Sequence, residues 1–104
     1  MIRIQVVYVD GNFSSLSIHG HGGEEYGKDI YCAGVSSCLY GALNALNYAE
    51  NYTYELESGY GVVKAKVKSV LHDEIVLETL ITQLSTIANS YPEKVSIQVS
   101  KKEG

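Results

Sequence analysis

Several features that define other classes of protein are scarce or missing in this sequence. No apolar run approaches the roughly 20 residues that a membrane-spanning helix needs. Eight lysines and arginines stand against twelve aspartates and glutamates, so the formal net charge is −4. The basic cluster formed by Lys64, Lys66 and Lys68 is too small to provide a nucleic-acid-binding face. These absences argue against membrane insertion and against direct nucleic-acid binding.

Cysteine is also rare, with only Cys32 and Cys38 present. The N-terminus alternates apolar and polar residues and soon reaches a turn at Asp10-Gly11, so it does not resemble a signal peptide. We therefore expect a cytoplasmic protein in which both cysteines are free thiols. With 104 residues and neither repeats nor a linker, residues 1–104 are predicted to form a single domain.

Hydrophobic periodicity predicts elements in the order ββαββαβ. Alternating apolar residues predict strands at 2–9, 14–21, 52–57, 62–68 and 95–99, with the third and fourth joined by Ser58-Gly59-Tyr60-Gly61. A first helix is predicted from an Asp29 cap to about Glu50, and a second from about Asp73 to Ser90, before Pro92. The most economical architecture is an α+β two-layer sandwich, one sheet with both helices packed on one face.

Charged residues on the predicted hairpin are expected to pair across its two strands. Glu55 and Glu57 are expected to face Lys64, Lys66 and Lys68 in a solvated cross-strand ladder of opposite charges.

The strongest chemical signal is Cys32, which follows the predicted Asp29 cap by three residues. Backbone N–H groups and the helix dipole at a helix N-terminus stabilise a thiolate. His21 ends the preceding strand, before a glycine-rich loop, and an imidazole beside the thiol can exchange a proton with it. The alternative is that Cys32 is a small buried hydrophobic residue, as most free cysteines are.

Metal binding is the competing interpretation of these residues. Cys32, His19 and His21 offer three zinc ligands, but their spacing matches no common structural zinc pattern and a fourth ligand is missing. Cys38 lies six residues beyond Cys32 on another side of the helix, so the two cannot form a disulfide or share one metal within that helix. We predict no metal and no cofactor, and a core position for Cys38.

Residues around the Cys-His pair have alternative roles. Asp29 either caps the helix, which positions the thiol, or orients the His21 imidazole as a third member of the site. Ser36 lies one turn after Cys32, where its hydroxyl either interacts with the sulfur or packs. Gly20 and Gly22 leave room beside His21 for an extended peptide, and the 22–28 loop is either a lid or a flexible connection.

These motifs resemble the ribosomal-processing cysteine protease (Prp) family. The matching pattern is Gly-His, a glycine-containing loop, and then Gly-x-Asp-Ile-x-Cys-Ala-x-x-Ser, found here as Gly20-His21 and as residues 27–36. The chain departs from the family at Gly22, where alanine is common, and in its additional thiol, Cys38. Neither departure removes a reactive group.

The resemblance implies a cysteine endopeptidase of ribosome biogenesis that removes a short N-terminal extension from a large-subunit ribosomal protein, number twenty-seven in its series. It implies that Cys32 is the nucleophile and His21 the general acid/base, with Asp29 and Ser36 at positions that the family usually keeps. The family cuts after an apolar stretch ending in aromatic residues, which implies a dry groove. Tyr26 and Tyr31 are the nearest candidates to line it.

The resemblance also implies a homodimer whose partner is the ribosomal protein precursor. In such an acyl-transfer mechanism, we expect N–H groups at the start of the first helix, including that of Cys32, to bind the oxyanion. The alternative function is a non-catalytic protein-interaction module in ribosome assembly, with Cys32 merely buried.

Overall fold

The computed structural model describes residues 1–21 and 29–104, and these form one five-stranded sheet and two α-helices. The elements are β1 (Ile2–Val9), β2 (Asn12–His19), α1 (Ile30–Ala45), β3 (Tyr52–Glu57), β4 (Tyr60–Ala65), α2 (Leu71–Ser90) and β5 (Val95–Lys102), with a 3-10 turn at Ala49–Asn51. The strand order is β3-β4-β2-β1-β5; β5 pairs parallel to β1 and the other pairs are antiparallel. The predicted α+β fold is confirmed.

The core lies between the sheet and the two helices, which contact each other on the same face. Alternate residues of the strands point toward the helices, whereas α2 buries a stripe at helical spacing. The central buried residues are Ile2, Ile4, Val6, Leu16, Val63, Leu77, Leu80, Leu84 and Val95, joined by Val35 and Leu39 of α1. In the described part of the chain, neither helix has the length and apolarity needed to cross a membrane.

The first helix ends earlier than predicted, at Ala45 instead of near Glu50. The cause is Asp73 of α2, whose side chain is only 1% exposed. Its carboxylate accepts the N–H of Asn47 at 2.8 Å and the N–H of Tyr48 at 3.0 Å. These charge-assisted hydrogen bonds replace the helical ones that a longer α1 would form.

The hairpin of β3 and β4 does not form the predicted ladder of charges. Its turn contains only residues 58–59, so β4 begins at Tyr60 and ends before two of the three lysines. The register pairs Glu55 with Val62 and Glu57 with Tyr60. That prediction was wrong because the turn is two residues shorter than the sequence suggested.

The second strand ends at His19, two residues earlier than predicted. Gly20 follows with φ +98°, in the left-handed region that favours glycine, and a Cβ here would collide with the carbonyl oxygen of Met1. The N–H of Gly20 donates to the carbonyl oxygen of Gly59 at 2.9 Å. This bend joins the end of β2 to the β3–β4 turn, and it takes His21 away from the sheet face of His19.

Candidate active site

The thiol of Cys32 lies in the first turn of α1. Asp29 is the N-cap residue: its Oδ1 accepts the N–H of Cys32 at 2.9 Å, and its carbonyl oxygen accepts the N–H of Ala33 at 3.1 Å. Cys32 is a free, partly buried cysteine. The cap therefore determines where the helix begins and where the sulfur sits.

Three reactive side chains converge at this end of the sheet. A ring nitrogen of His21, a carboxylate oxygen of Asp29 and Sγ of Cys32 all lie within 4.8 Å of one another. His21 is exposed, and the other two residues are partly buried. An imidazole this close to a thiol is positioned to exchange a proton with it.

The turn between β3 and β4 packs against the His21 ring. Gly59 has φ +73°, and a Cβ built on it would lie 2.9 Å from Cε1 and 3.2 Å from Cδ2 of His21. Real Cβ atoms essentially never come as close as 2.9 Å to a neighbouring atom, so the ring packs on the bare α-carbon. The sequence predicts that Gly59 lies in a hairpin turn, but no local pattern indicates that this turn contacts His21.

A small open cavity of about 50 Å³ lies beside Cys32, between α1 and the β3–β4 hairpin. Of the residues predicted for the site, Gly20, Cys32 and Ser36 line it. Its remaining walls are largely apolar: Ile2, Ile18, Val35, Leu39, Tyr40, Leu56, Tyr60 and Gly61, with Glu57 and Gly59. The contribution of the hairpin was missed at the sequence level because nothing in the local pattern indicates which strands border α1.

Tyr60 brings a phenol to this cavity. Burial, followed by the Glu55 and Glu57 charges, raises the pKa of Tyr60 above its ordinary value of 10.0. Its hydroxyl donates to Oε2 of Glu55 at 3.3 Å. Tyr60 therefore presents a protonated, hydrogen-bonded aromatic side chain at neutral pH.

The other predicted substrate-binding residues are placed differently. Tyr31 is absent from the cavity lining; it stacks edge-on against Tyr91, with ring centroids 5.2 Å apart, and Lys94 Nζ lies 5.8 Å from its ring centroid. Gly22 and Tyr26 lie outside the described residues, as does the predicted lid at 22–28.

The second histidine and the second cysteine stand apart from the site. His19 packs its ring against Tyr60 with centroids 5.0 Å apart, and within residues 1–21 and 29–104 it does not join the cluster around Cys32. Cys38 is a free thiol that packs partly buried against the core.

The N–H of Cys32 was expected to be one of the free groups that bind the oxyanion. It is not free in this structure, because it donates to Asp29 Oδ1. An N–H group engaged in a charge-assisted hydrogen bond is not available to a developing oxyanion without breaking the cap.

Comparison with known proteins identifies the family to which the chain belongs. Residues 1–96 match the family model described as cysteine protease Prp. The ribosomal processing cysteine protease Prp of Staphylococcus aureus is 27% identical over 103 residues, which cover 93% of this chain and 97% of the relative. The crystal structure of Staphylococcus aureus Prp with a covalently linked product peptide superposes with a TM-score of 0.83 at 26% identity, covering 95% of this chain and 99% of that one.

The crystal structure of SMU.848 from Streptococcus mutans gives a TM-score of 0.81 at 25% identity and covers 98% of this chain and 96% of that chain. Because the family model spans nearly the whole sequence, the chain belongs to the Prp family of cysteine proteases and is a cysteine peptidase.

Proposed function

We propose that this protein removes the N-terminal extension of a large-subunit ribosomal protein, number twenty-seven in its series, as a Cys-His endopeptidase. The observation that carries the proposal is the convergence of His21, Asp29 and Cys32, whose reactive atoms lie within 4.8 Å of one another. The relative from Staphylococcus aureus is named a ribosomal processing protease and has been crystallised with a covalently linked product peptide. Those names support both the substrate class and covalent catalysis.

In the proposed mechanism, His21 accepts the thiol proton while Sγ of Cys32 attacks the scissile carbonyl carbon. The C–N bond then breaks as His21 returns this proton to the departing amine, which leaves a thioester on Cys32. A water molecule next gives a proton to His21 and attacks the thioester. The C–S bond breaks, the cleaved peptide leaves with a carboxyl group, and the proton returns to the sulfur.

Asp29 supports this chemistry from the helix cap. Its hydrogen bond to the N–H of Cys32 holds the start of α1, and its carboxylate lies close enough to His21 to favour the imidazolium formed during the reaction. Ser36 lines the cavity one turn further along α1, where we propose that it supports the sulfur or the peptide.

The substrate groove is the cavity beside Cys32. Its apolar walls suit the aromatic and aliphatic residues that precede the cut, because burying them removes apolar surface from water. We propose that Leu39, Tyr40, Leu56 and Tyr60 contact these residues, since all four line the cavity with Cys32.

Cleavage of a peptide that carries the ribosomal extension tests the proposal. Mass spectrometry should show a single scission with the unmodified protein and none with Cys32→Ser or His21→Ala. The matched control is Cys38→Ser, which removes the other thiol and should cleave normally. A folded Cys32→Ser protein that still trims the peptide would refute the nucleophile assignment.

Alkylation separates this function from a non-catalytic interaction module. Cys32 and Cys38 are both partly buried, so the second thiol is an internal control for accessibility. Catalysis predicts that iodoacetamide labels Cys32 much faster than Cys38, and that His21→Ala slows the labelling of Cys32 alone. Slow, equal labelling of both thiols favours the interaction module.

The family resemblance further leads us to propose a homodimer that acts in the cytoplasm, where its ribosomal substrate is assembled. Sedimentation equilibrium should give twice the mass of the chain. A concentration-independent monomer would contradict the dimer without affecting the proposed chemistry.

A further inference from the structure

The three converging side chains also form a mixed donor set for a metal ion. Imidazole nitrogen, carboxylate oxygen and thiolate sulfur are the ligand atoms that Zn²⁺ binds in proteins. In a tetrahedral site with bonds of about 2.0–2.3 Å, neighbouring ligand atoms lie about 3.3–3.8 Å apart. The atoms of His21, Asp29 and Cys32 lie within 4.8 Å of one another, so a modest side-chain adjustment brings them to that spacing.

We infer that His21, Asp29 and Cys32 form a site for Zn²⁺ and that the bound ion reversibly inhibits the peptidase. Three protein ligands leave a fourth position for water, as in open zinc sites. This site differs from the structural zinc site weighed for the sequence, because its third ligand is Asp29 and not His19. The inhibition rests on the proposed function, whereas the metal binding does not.

Neighbouring groups hold two of the ligands in place. The N–H of Cys32 donates to Asp29 Oδ1 at 2.9 Å, which fixes the carboxylate beside the sulfur. The His21 ring rests on Gly59, whose carbonyl oxygen accepts the N–H of Gly20. Such outer contacts orient metal ligands and raise affinity. Because His21 is exposed, an ion can reach the site from solvent.

Coordination would block both partners of the catalytic pair. The Cys32 thiol releases its proton to solvent as the Zn–S bond forms, and the hydrated ion releases all of its bound waters except the one that stays in the fourth position. The sulfur lone pair that would attack the carbonyl and the imidazole lone pair that would accept a proton are then both donated to the metal. Inhibition should therefore be competitive with the peptide and reversed by a chelator.

Cobalt provides a direct test, since Co²⁺ occupies zinc sites and reports its ligands spectroscopically. The unmodified protein should show a near-ultraviolet thiolate-to-cobalt charge-transfer band and visible bands of tetrahedral Co²⁺, and stoichiometric Zn²⁺ should bleach both. Cys32→Ser should lose the charge-transfer band. His21→Ala and Asp29→Ala should each weaken cobalt binding by more than about tenfold.

Two variants serve as matched controls. Cys38→Ser removes the other thiol and His19→Ala removes the other imidazole of this region, and both should retain the spectrum and the cobalt affinity. A charge-transfer band that persists in Cys32→Ser, or that disappears in Cys38→Ser, would overturn the site. Undiminished peptide cleavage with the site saturated by Zn²⁺ would overturn the inhibition.

The two proposals fail separately. If the protein gives the cobalt spectrum but cleaves no ribosomal peptide, the proposed metal site stands and the proposed function is wrong. If the protein cleaves the peptide but gives no cobalt spectrum, the proposed function stands and the proposed metal site is wrong.

Discussion

The α-carbon of Gly59 faces the imidazole of His21 so closely that no side chain fits between them. The same glycine accepts the N–H of Gly20 at 2.9 Å, so the residue before His21 is tied to the turn on which the ring rests. The proposed general base is thus held by a hairpin from a distant part of the chain. Its orientation depends on this contact as well as on the end of β2.

Replacing Gly59 by alanine should therefore impair catalysis. The new methyl group displaces the His21 ring, and misplacing a catalytic group by about 1 Å can cost about 100-fold in rate. We expect kcat/KM for the ribosomal peptide to fall by at least about tenfold in Gly59→Ala.

Gly11→Ala is the matched control for that variant. Gly11 has φ +80° in the β1–β2 turn, and a Cβ there meets nothing within 4 Å among the described residues. Both substitutions should cost about 1–2 kcal/mol in unfolding free energy through left-handed backbone strain. If Gly59→Ala and Gly11→Ala cleave the peptide equally well, the contact between Gly59 and the His21 ring has no role in catalysis.

Asp29 can be tested as a cap and as a charge separately. Asparagine caps helices as well as aspartate does, whereas alanine costs about 1 kcal/mol in stability. We expect Asp29→Asn to keep the unfolding free energy and to lose only the part of the peptide cleavage that depends on a negative charge near His21, whereas Asp29→Ala should lower both. Urea denaturation and kcat/KM provide the two measurements. A stable Asp29→Asn protein without activity would show that the carboxylate charge is required.

Asp73 is expected to matter for stability and not for chemistry. Its buried carboxylate accepts two backbone N–H groups, and hydrogen bonds to charged groups contribute about 1.5–3 kcal/mol each. Asp73→Ala should lower the unfolding free energy by about 3 kcal/mol or more. His72→Ala is the control: its ring is half exposed, hydrogen-bonds the Ala45 carbonyl oxygen and comes only within 3.9 Å of Asp73 Oδ1, so its removal leaves both backbone hydrogen bonds of Asp73 in place. Similar losses in both variants would contradict this account.

Tyr52 should make stability fall in alkaline solution. Its side chain is 3% exposed and its hydroxyl lies 2.5 Å from Ser69 Oγ. Burial, and then the charges of Asp73 and Glu74, raise the pKa of Tyr52 above 10.0. The folded state therefore favours the protonated phenol, so this stabilisation is complete below the unfolded pKa and is lost as the pH rises through the folded pKa.

Urea unfolding between about pH 9 and 11 measures this effect. Tyr52→Phe should show a smaller alkaline loss of unfolding free energy than the unmodified protein. Part of the loss should remain, because burial also raises the pKa of Tyr8. An unchanged pH dependence in Tyr52→Phe would assign the alkaline loss to other groups.

The element order and the position of the thiol follow from local physical chemistry. Alternation in the strands and the helical stripe of α2 depend on neighbours only a few residues apart, so their pattern is visible in the chain itself. The Asp29 cap is equally local, since its side chain reaches the N–H of Cys32 three residues on. These interactions were correctly anticipated for that reason.

Contacts between distant segments account for what could not be anticipated. The carboxylate of Asp73 ends α1 from another helix, and the short turn at Gly59 sets the register that removes the charge ladder. The left-handed bend at Gly20 separates His21 from His19 and places the His21 ring close to the Cys32 sulfur. Periodicity carries no information about such pairings, because they depend on which elements become neighbours once the core has packed.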